Sequence, residues 1–100
     1  MPFPGMGVYG ASKAAVSALT RGFARDLGSR GITINDIQPG PVDTDGNPKD
    51  GPFAERLKGV MALPEFGRAT EVAALAAYLA GPEASGITGA SLLIDGGFNA

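Results

Sequence analysis

The sequence contains neither cysteine nor histidine, two residue types on which much enzyme chemistry depends. Without cysteine, the 100 residues can form no disulfide framework, thiolate metal site or thiol nucleophile. Without histidine, they cannot supply a Ser-His-Asp triad. Any acid–base chemistry must therefore use tyrosine, lysine, aspartate or glutamate. The lack of cysteine also agrees with an expected cytoplasmic location.

Long apolar runs and an excess of positive charge are missing as well. No run reaches the 18 apolar residues typical of a transmembrane helix, and residues 1–10 lack the basic start and apolar core of a signal peptide. We therefore expect no membrane partner. The net charge of −2 and the pI of about 4.9 argue against nucleic acid as a partner. With 16 glycines, 8 prolines and 44% hydrophobic residues, the composition indicates a turn-rich globular chain.

The hydrophobic pattern predicts an α/β order of elements. Residues 8–27 are alanine-rich, and Val8, Ala15, Leu19 and Phe23 recur at helical spacing. Residues 32–38 are rich in β-branched side chains and predict a strand, which the Pro-Gly-Pro at 39–41 ends. A short amphipathic helix is predicted over 53–63. A longer helix is predicted from the N-cap Thr70 to residue 80, with positions 72, 75, 76 and 79 in the core, and a strand over 91–95.

The order strand, helix, strand over residues 32–95 predicts a parallel sheet that this chain does not complete. Parallel strands are normally covered on both faces and flanked by further strands, and two strands alone are marginal in water. The expected fold class is therefore part of a doubly wound, Rossmann-like parallel sheet. Residues 1–100 are predicted to be one segment of a single larger domain.

Tyr9 and Lys13 are the residues that carry a chemical signal. Four residues apart on a helix, they share one face at about 5–6 Å between β-carbons. A phenol is a poor acid or base at neutral pH, and a nearby cation stabilises its phenolate. The pair is thus a reasonable acid–base unit where histidine is absent, although by itself it is equally compatible with an ordinary surface pair.

Three blocks of sequence decide between those two interpretations. Residues 9–16 (YGASKAAV), residues 31–44 (GITINDIQPGPVDT), and the ITG and IDGG at 87–89 and 94–97 occur in that order. They resemble the Y-x-A-S-K-A-A-V/L signature, the P-G-x-x-x-T block and the C-terminal D-G-G ending of short-chain dehydrogenases/reductases. The resemblance covers nearly the whole chain and identifies it as the C-terminal portion of such a protein.

The resemblance implies an NAD(P)-dependent oxidoreductase that interconverts a carbonyl and an alcohol by hydride transfer. Tyr9 would be the general acid or base, and Lys13 would assist it and hydrogen-bond the nicotinamide ribose. The cofactor, NAD or NADP, would also be bound by the loop after the strand, with the Val42 backbone on the carboxamide. The implied cofactor-binding residues are Tyr9, Lys13, Pro39, Gly40, Val42 and Thr44.

The resemblance also implies a small-molecule partner and, for a complete version, a homo-oligomer (a dimer or a tetramer). The family's glycine-rich phosphate turn and catalytic serine would precede Met1, since no such motif occurs in these residues. A second hypothesis therefore stays open. The 100 residues could be a catalytically inactive truncated fragment or a non-catalytic association module.

Other features are predicted to have ordinary structural roles. Ser12 follows Tyr9 by three residues and is expected to be a small helix-packing residue rather than the family's serine. The acidic turn at 43–47 begins like a calcium loop, but Pro48 replaces the required glycine, so no metal site is predicted. The apolar residues over 53–66 fit a substrate lid or simple packing equally well. Gly96 and Gly97 suggest a turn with positive φ or a close backbone contact.

Overall fold

The structure is a computed structural model that describes residues 4–100. The element order is α1 (Gly7–Leu27), β1 (Asp36–Pro39), β2 (Val42–Asp43), α2 (Ala54–Lys58), β3 (Gly67–Arg68), α3 (Ala69–Ala80) and β4 (Ser91–Ile94). Short 3₁₀ turns follow α1 (Gly28–Arg30) and α3 (Pro82–Ala84). The loop predicted over residues 1–7 lies partly outside the described residues.

The strands form two small parallel pairs, which confirms the predicted α/β class and the incomplete Rossmann-like sheet. β1 pairs with β4 in a register that begins at Asp36–Ser91, and β2 pairs with β3 in a register that begins at Val42–Gly67. The chain from β1 to β4 passes through both α2 and α3, as a parallel pair requires. Among the described residues, β1 pairs with no other strand, so its second edge is open.

α1 is long because alanines fill it and no proline interrupts it, and its C-terminus is set by glycine. Gly31 takes a left-handed φ of 72° after the 3₁₀ turn. The buried residues of α1 are Ser17, Thr20 and Ala24. The apolar residues that share a face by helical spacing are exposed: Val8 and Phe23, for example, are 86% and 48% exposed. The other described residues therefore leave this face of α1 uncovered.

The strand predicted over residues 32–38 is shorter and begins later, at Asp36. The preceding residues lie against the turn before β4, where the Gly89 N–H donates to the Ile34 C=O at 2.7 Å and the Asn35 amide donates to the Ile87 C=O at 2.9 Å. Gly89 has a φ of 71°, so this partner segment is not extended and cannot form a ladder. Side-chain and loop bonds replace strand pairing there.

α3 begins at Ala69, and its N-cap is Arg68 rather than Thr70, two residues earlier than predicted. The Glu71 carboxylate accepts hydrogen bonds from the Arg68 side chain (Nε, 3.0 Å) and the Arg68 backbone N–H (3.2 Å), and these lower the pKa of Glu71. The predicted core stripe is only half-buried at Val72, Leu75 and Leu79. Its fourth member, Ala76, is exposed.

One set of close contacts lies where residues 61–66 meet the end of β4. Phe66 is 7% exposed, and the Leu63 N–H donates to the Gly96 C=O at 2.9 Å. A β-carbon on Gly97 would lie 2.4 Å from that of Ala62, and Gly96 and Gly97 have φ values of 59° and 79°. Both reasons foreseen for these glycines, positive φ and close contact, are therefore confirmed.

Candidate functional site

The Tyr9 and Lys13 side chains lie next to each other on the first turns of α1. The Lys13 Nζ is 5.2 Å from the centroid of the Tyr9 ring. Tyr9 is 48% exposed, and within the described residues no carboxylate lies within salt-bridge distance of Lys13. The helix thus presents a phenol and an unpaired ammonium side by side on an accessible face.

A cleft of about 490 Å³ joins this face to the carboxyl end of β1. Tyr9, Lys13, Pro39 and Gly40 all line it, so the structure brings together four of the six residues predicted to form the site. The other residues that line it are Met6, Val16, Asp36, Ile37, Gln38, Pro41, Asn47, Leu57, Phe98 and Asn99. Ligands of open α/β sheets bind at this end of the strands.

Val42 and Thr44 are not among the lining residues of the cleft. Val42 begins β2, and Thr44 directly follows that strand. The Gly67 N–H donates to the Pro41 C=O at 2.9 Å. Because alternate residues of a parallel strand turn their peptide groups toward a given neighbour, the Val42 N–H and C=O point away from β3. The Thr44 hydroxyl is exposed and accepts a hydrogen bond from the Asn47 N–H at 3.2 Å.

The turn at Gly40 depends on the absence of a side chain. A β-carbon there would lie 2.7 Å from both the α- and β-carbons of Asp95, and the Gly40 N–H donates to the Ile94 C=O at 3.2 Å. The Asp95 carboxylate in turn accepts bonds from the Gly97 and Asn99 N–H groups at 3.0 and 3.1 Å. The floor of the cleft is therefore held by the segment that follows β4.

The sequence left two roles open for the apolar residues over 53–66, a substrate lid or simple packing, and the structure divides these residues between the two. Phe66 is buried and Met61 lies against Gly96, so both pack; Leu57 lines the cleft, while Phe53 is 65% exposed. The predicted helix over 53–63 ends at Lys58, because the chain then turns through Gly59.

Sequence reasoning missed the polar residues of β1. Asp36 and Gln38 line the cleft, and their alternation just before Pro39 was a detectable signal, because alternate strand residues share a face. Burial raises the pKa of Asp36, but hydrogen bonds from Ser91, Gln38 and other side chains outweigh it and lower the pKa overall. Phe98 and Asn99 also line the cleft, and no spacing in the sequence predicts that they do.

Ser12 is exposed rather than packed, and its hydroxyl donates to the Tyr9 C=O at 2.7 Å.

Among residues 4–100, no group of three or more Asp or Glu side chains is placed to hold a metal ion. Within the same residues, no helix has the length and apolar character needed to cross a membrane.

A second cleft of about 550 Å³ lies on the other side of the β4 end, between residues 62–67 and 93–97. Its ionisable residues are Glu65, Glu71 and Asp95. It contains neither a tyrosine nor a lysine, so it lacks the paired phenol and ammonium of the first cleft. The phenol–ammonium pair predicted from the sequence is therefore found only in the first of these two clefts.

Comparison with known proteins agrees with this geometry. A family model described as enoyl-(acyl carrier protein) reductase matches residues 1–99. The chain is 55% identical, over all of its 100 residues, to the cyclic-di-GMP-binding biofilm dispersal mediator protein of Escherichia coli, of which it covers 42%.

Several solved structures match the whole chain, and two of them are described below. A short-chain dehydrogenase/reductase from Serratia marcescens is 58% identical with a TM-score of 0.96, and a short-chain dehydrogenase from Burkholderia cenocepacia in complex with NADP is 52% identical with a TM-score of 0.94. The chain covers 41% of each of these two proteins, so it spans about two-fifths of the length of its relatives. The chain belongs to the short-chain dehydrogenase/reductase family.

Proposed function

We propose that this chain is the catalytic segment of an NAD(P)-dependent oxidoreductase that interconverts a carbonyl and an alcohol. The observation that carries the proposal is the Tyr9–Lys13 pair, with 5.2 Å between ammonium and ring centroid, in the cleft at the carboxyl end of β1. The family assignment supports the reaction type, and the NADP complex of the Burkholderia relative supports the cofactor class.

Residues of this chain would transfer the proton. The Tyr9 hydroxyl donates it to the substrate oxygen during reduction, and the Tyr9 phenolate accepts it during alcohol oxidation. The Lys13 ammonium stabilises negative charge on the phenol oxygen and donates to the ribose hydroxyls of the cofactor. The nicotinamide, when bound, supplies or receives the hydride.

The loop after β1 fits the nicotinamide end of that cofactor. The Val42 N–H and C=O are turned away from the β2–β3 pair, which leaves a donor and an acceptor for a carboxamide. The proton of the Thr44 hydroxyl is available to the same region, because the hydrogen bond from Asn47 uses only its oxygen. Pro39 and Gly40 shape the turn that carries both residues.

We also propose that residues 1–100 are the C-terminal segment of one Rossmann-like domain, carrying the catalytic helix, cofactor loop, lid and last strand. The open edge of β1 and the exposed apolar side of α1 support this, as does the two-fifths coverage of the relatives. The longer protein would act on a small carbonyl or alcohol as a homo-oligomer, and its cytoplasmic location stays a prediction.

The experiment is a turnover assay of the longer protein in which these residues continue from upstream coding sequence, called the complete protein below. It is supplied with NADH or NADPH and a panel of sugar, steroid, acyl-ketone and small-alcohol substrates, and absorbance at the nicotinamide wavelength is followed. Cofactor-dependent turnover of at least one carbonyl is expected. No turnover with either cofactor would contradict the proposal.

The alternative is a non-catalytic association module, and the exposure of Val8, Leu19 and Phe23 is the observation in its favour. Measurements on the 100-residue chain by itself distinguish a segment of an enzyme from an association module. As a segment of an enzyme, it is expected to bind NADPH weakly and to unfold without a sharp transition. Fluorescence titration showing micromolar affinity, or cooperative melting of a monomer, would instead indicate an autonomous unit.

A further inference from the structure

The acid–base pair shares its helical stripe with two buried hydroxyl residues. Tyr9, Lys13, Ser17 and Thr20 fall within about 80° of one another around α1, at about 100° per residue. Tyr9 is 48% exposed, whereas Ser17 and Thr20 are 8% and 6% exposed. One stripe therefore has an open half that lines the cleft and a covered half that lies on the sheet.

The covered half is attached to β1 by a closed set of hydrogen bonds. The Gln38 amide donates to the Ser17 Oγ at 2.7 Å and to the Asp36 Oδ1 at 3.0 Å. The Ser17 hydroxyl lies 3.5 Å from the same carboxylate oxygen, and the Ser91 hydroxyl of β4 donates to Asp36 Oδ2 at 2.7 Å. The carboxylate thus joins α1, β1 and β4.

This carboxylate is held entirely by neutral donors. Among the described residues, no salt bridge reaches Asp36, although Lys13 lines the same cleft. Amide and hydroxyl groups donate to its two oxygens, and the Lys13 ammonium lies beside the Tyr9 ring.

Directional bonds at Ser17 also limit rotation of α1 about its axis, which apolar contacts alone do not. A side chain reaches about 5–6 Å from a helix axis, so a rotation of about 10° displaces its tip by about 1 Å. A misplacement of that size can cost an enzyme about 10²-fold in rate. Ser17 is two turns, or about 12 Å, along the helix from Tyr9.

We infer that Ser17 and Gln38, anchored on Asp36, are positioning residues that set the orientation of the Tyr9–Lys13 face over the carboxyl end of β1. They act through Tyr9 and Lys13 and touch no reacting atom. The inference rests on the proposed function, because it assigns a role in that reaction to residues outside the acid–base pair.

The test uses the complete protein and compares Ser17→Ala with Ser29→Ala, an exposed serine in the turn after α1. Ser17→Ala is expected to lower kcat by about 10-fold or more, with the NADPH dissociation constant within about twofold of wild type. Ser29→Ala is expected to match wild type, and Ser17→Thr, which restores a hydroxyl, is expected to recover most of the rate. Gln38→Leu is expected to resemble Ser17→Ala.

A second readout separates positioning from general loosening of the fold. In a Tyr9→Phe background, Ser17→Ala is expected to have little further effect on the residual rate, since its action passes through Tyr9. An equal loss in both backgrounds, or an unchanged kcat in Ser17→Ala, would overturn the inference. If Tyr9→Phe itself retains full turnover, the proposed function has failed instead. If Gln38→Leu does not fold, the kinetics of the smaller Ser17→Ala change still test the positioning role.

Discussion

The α1 side and the β4 side of the molecule differ in how completely these 100 residues cover them. On the β4 side, Phe66 and Asp95 are 7% and 9% exposed, and Gly97 has no room for a side chain. On the α1 side, Val16 and Leu19 remain 50% and 56% exposed. The buried contacts of the β4 side are thus made by residues of this chain, although Leu93 of β4 is 57% exposed, whereas the α1 side presents a wider apolar surface together with the candidate acid–base pair.

The floor of the cleft and its Tyr9–Lys13 face therefore have separate physical origins. Gly40 rests on Asp95, which is held by the turn after β4, so the floor depends on local contacts within the chain. The Tyr9–Lys13 face depends on the position of α1. Two of the three buried residues of α1 are polar, and one of them, Ser17, accepts a hydrogen bond from Gln38 of β1. Changes on the α1 side should therefore alter chemistry, and changes on the β4 side should alter stability.

After the loss of the Tyr9 hydroxyl itself, the largest effect is expected at Lys13. Lys13→Met in the complete protein removes the ammonium beside Tyr9 and is expected to lower kcat/KM by about 10²-fold or more, with weaker cofactor binding. Steady-state kinetics at several NADPH concentrations measure both effects.

The control is Lys49→Met, which removes an exposed lysine from the loop after β2 and is expected to leave kcat/KM within about twofold of wild type. Equal losses in the two variants would mean that overall charge, rather than the position of Lys13, governs the rate.

An intermediate effect, on stability rather than chemistry, is expected at Gly97. Gly97→Ala forces a β-carbon to within 2.4 Å of the Ala62 β-carbon at a φ of 79° and is expected to destabilise the complete protein by about 2–4 kcal/mol. Denaturant unfolding measures the change. Gly86→Ala, at a turn with open space and no positive φ, is the matched control. An unchanged midpoint for Gly97→Ala would show that this junction can relax.

The smallest effect is expected at Asp36, where the two sides meet. Its pKa is lowered in the folded state, so its contribution to stability is present above the ordinary value of 3.8 and is lost as the pH falls through the lowered value. Asp36→Asn should therefore flatten the loss of thermal stability on acidification in that range. Asp45→Asn, in an exposed turn, should leave it unchanged. Identical acid profiles for wild type and Asp36→Asn would exclude this contribution.

The sequence predicted the features that local residue choice decides. The ends of α1 follow from its alanines and from Gly28 and Gly31, and β4 follows from its apolar run before Asp95. The Tyr9–Lys13 contact follows from helical spacing alone. The proximity of Pro39 and Gly40 to that pair needed the parallel topology, which the strand–helix–strand order predicted correctly.

Features that depend on distant partners were not predictable in the same way. The two-residue β2–β3 pair has no periodicity, and Phe98 reaches the cleft only through the turn that Asp95 holds. The late start of β1 depends on Gly89 in a segment over 50 residues away in sequence. The exposure of the apolar face of α1 was not predictable either, because periodicity shows which residues share a face but not whether anything covers it.

The central claim is that Tyr9 transfers the proton, and it is tested most directly by Tyr9→Phe against Tyr78→Phe in the complete protein. The two rings are 48% and 49% exposed in this chain, and each variant removes one tyrosine hydroxyl. At saturating NADPH, Tyr9→Phe is expected to lose about 10³-fold or more in kcat with nearly unchanged cofactor affinity, and Tyr78→Phe is expected to behave as wild type. Turnover retained in Tyr9→Phe would contradict the account.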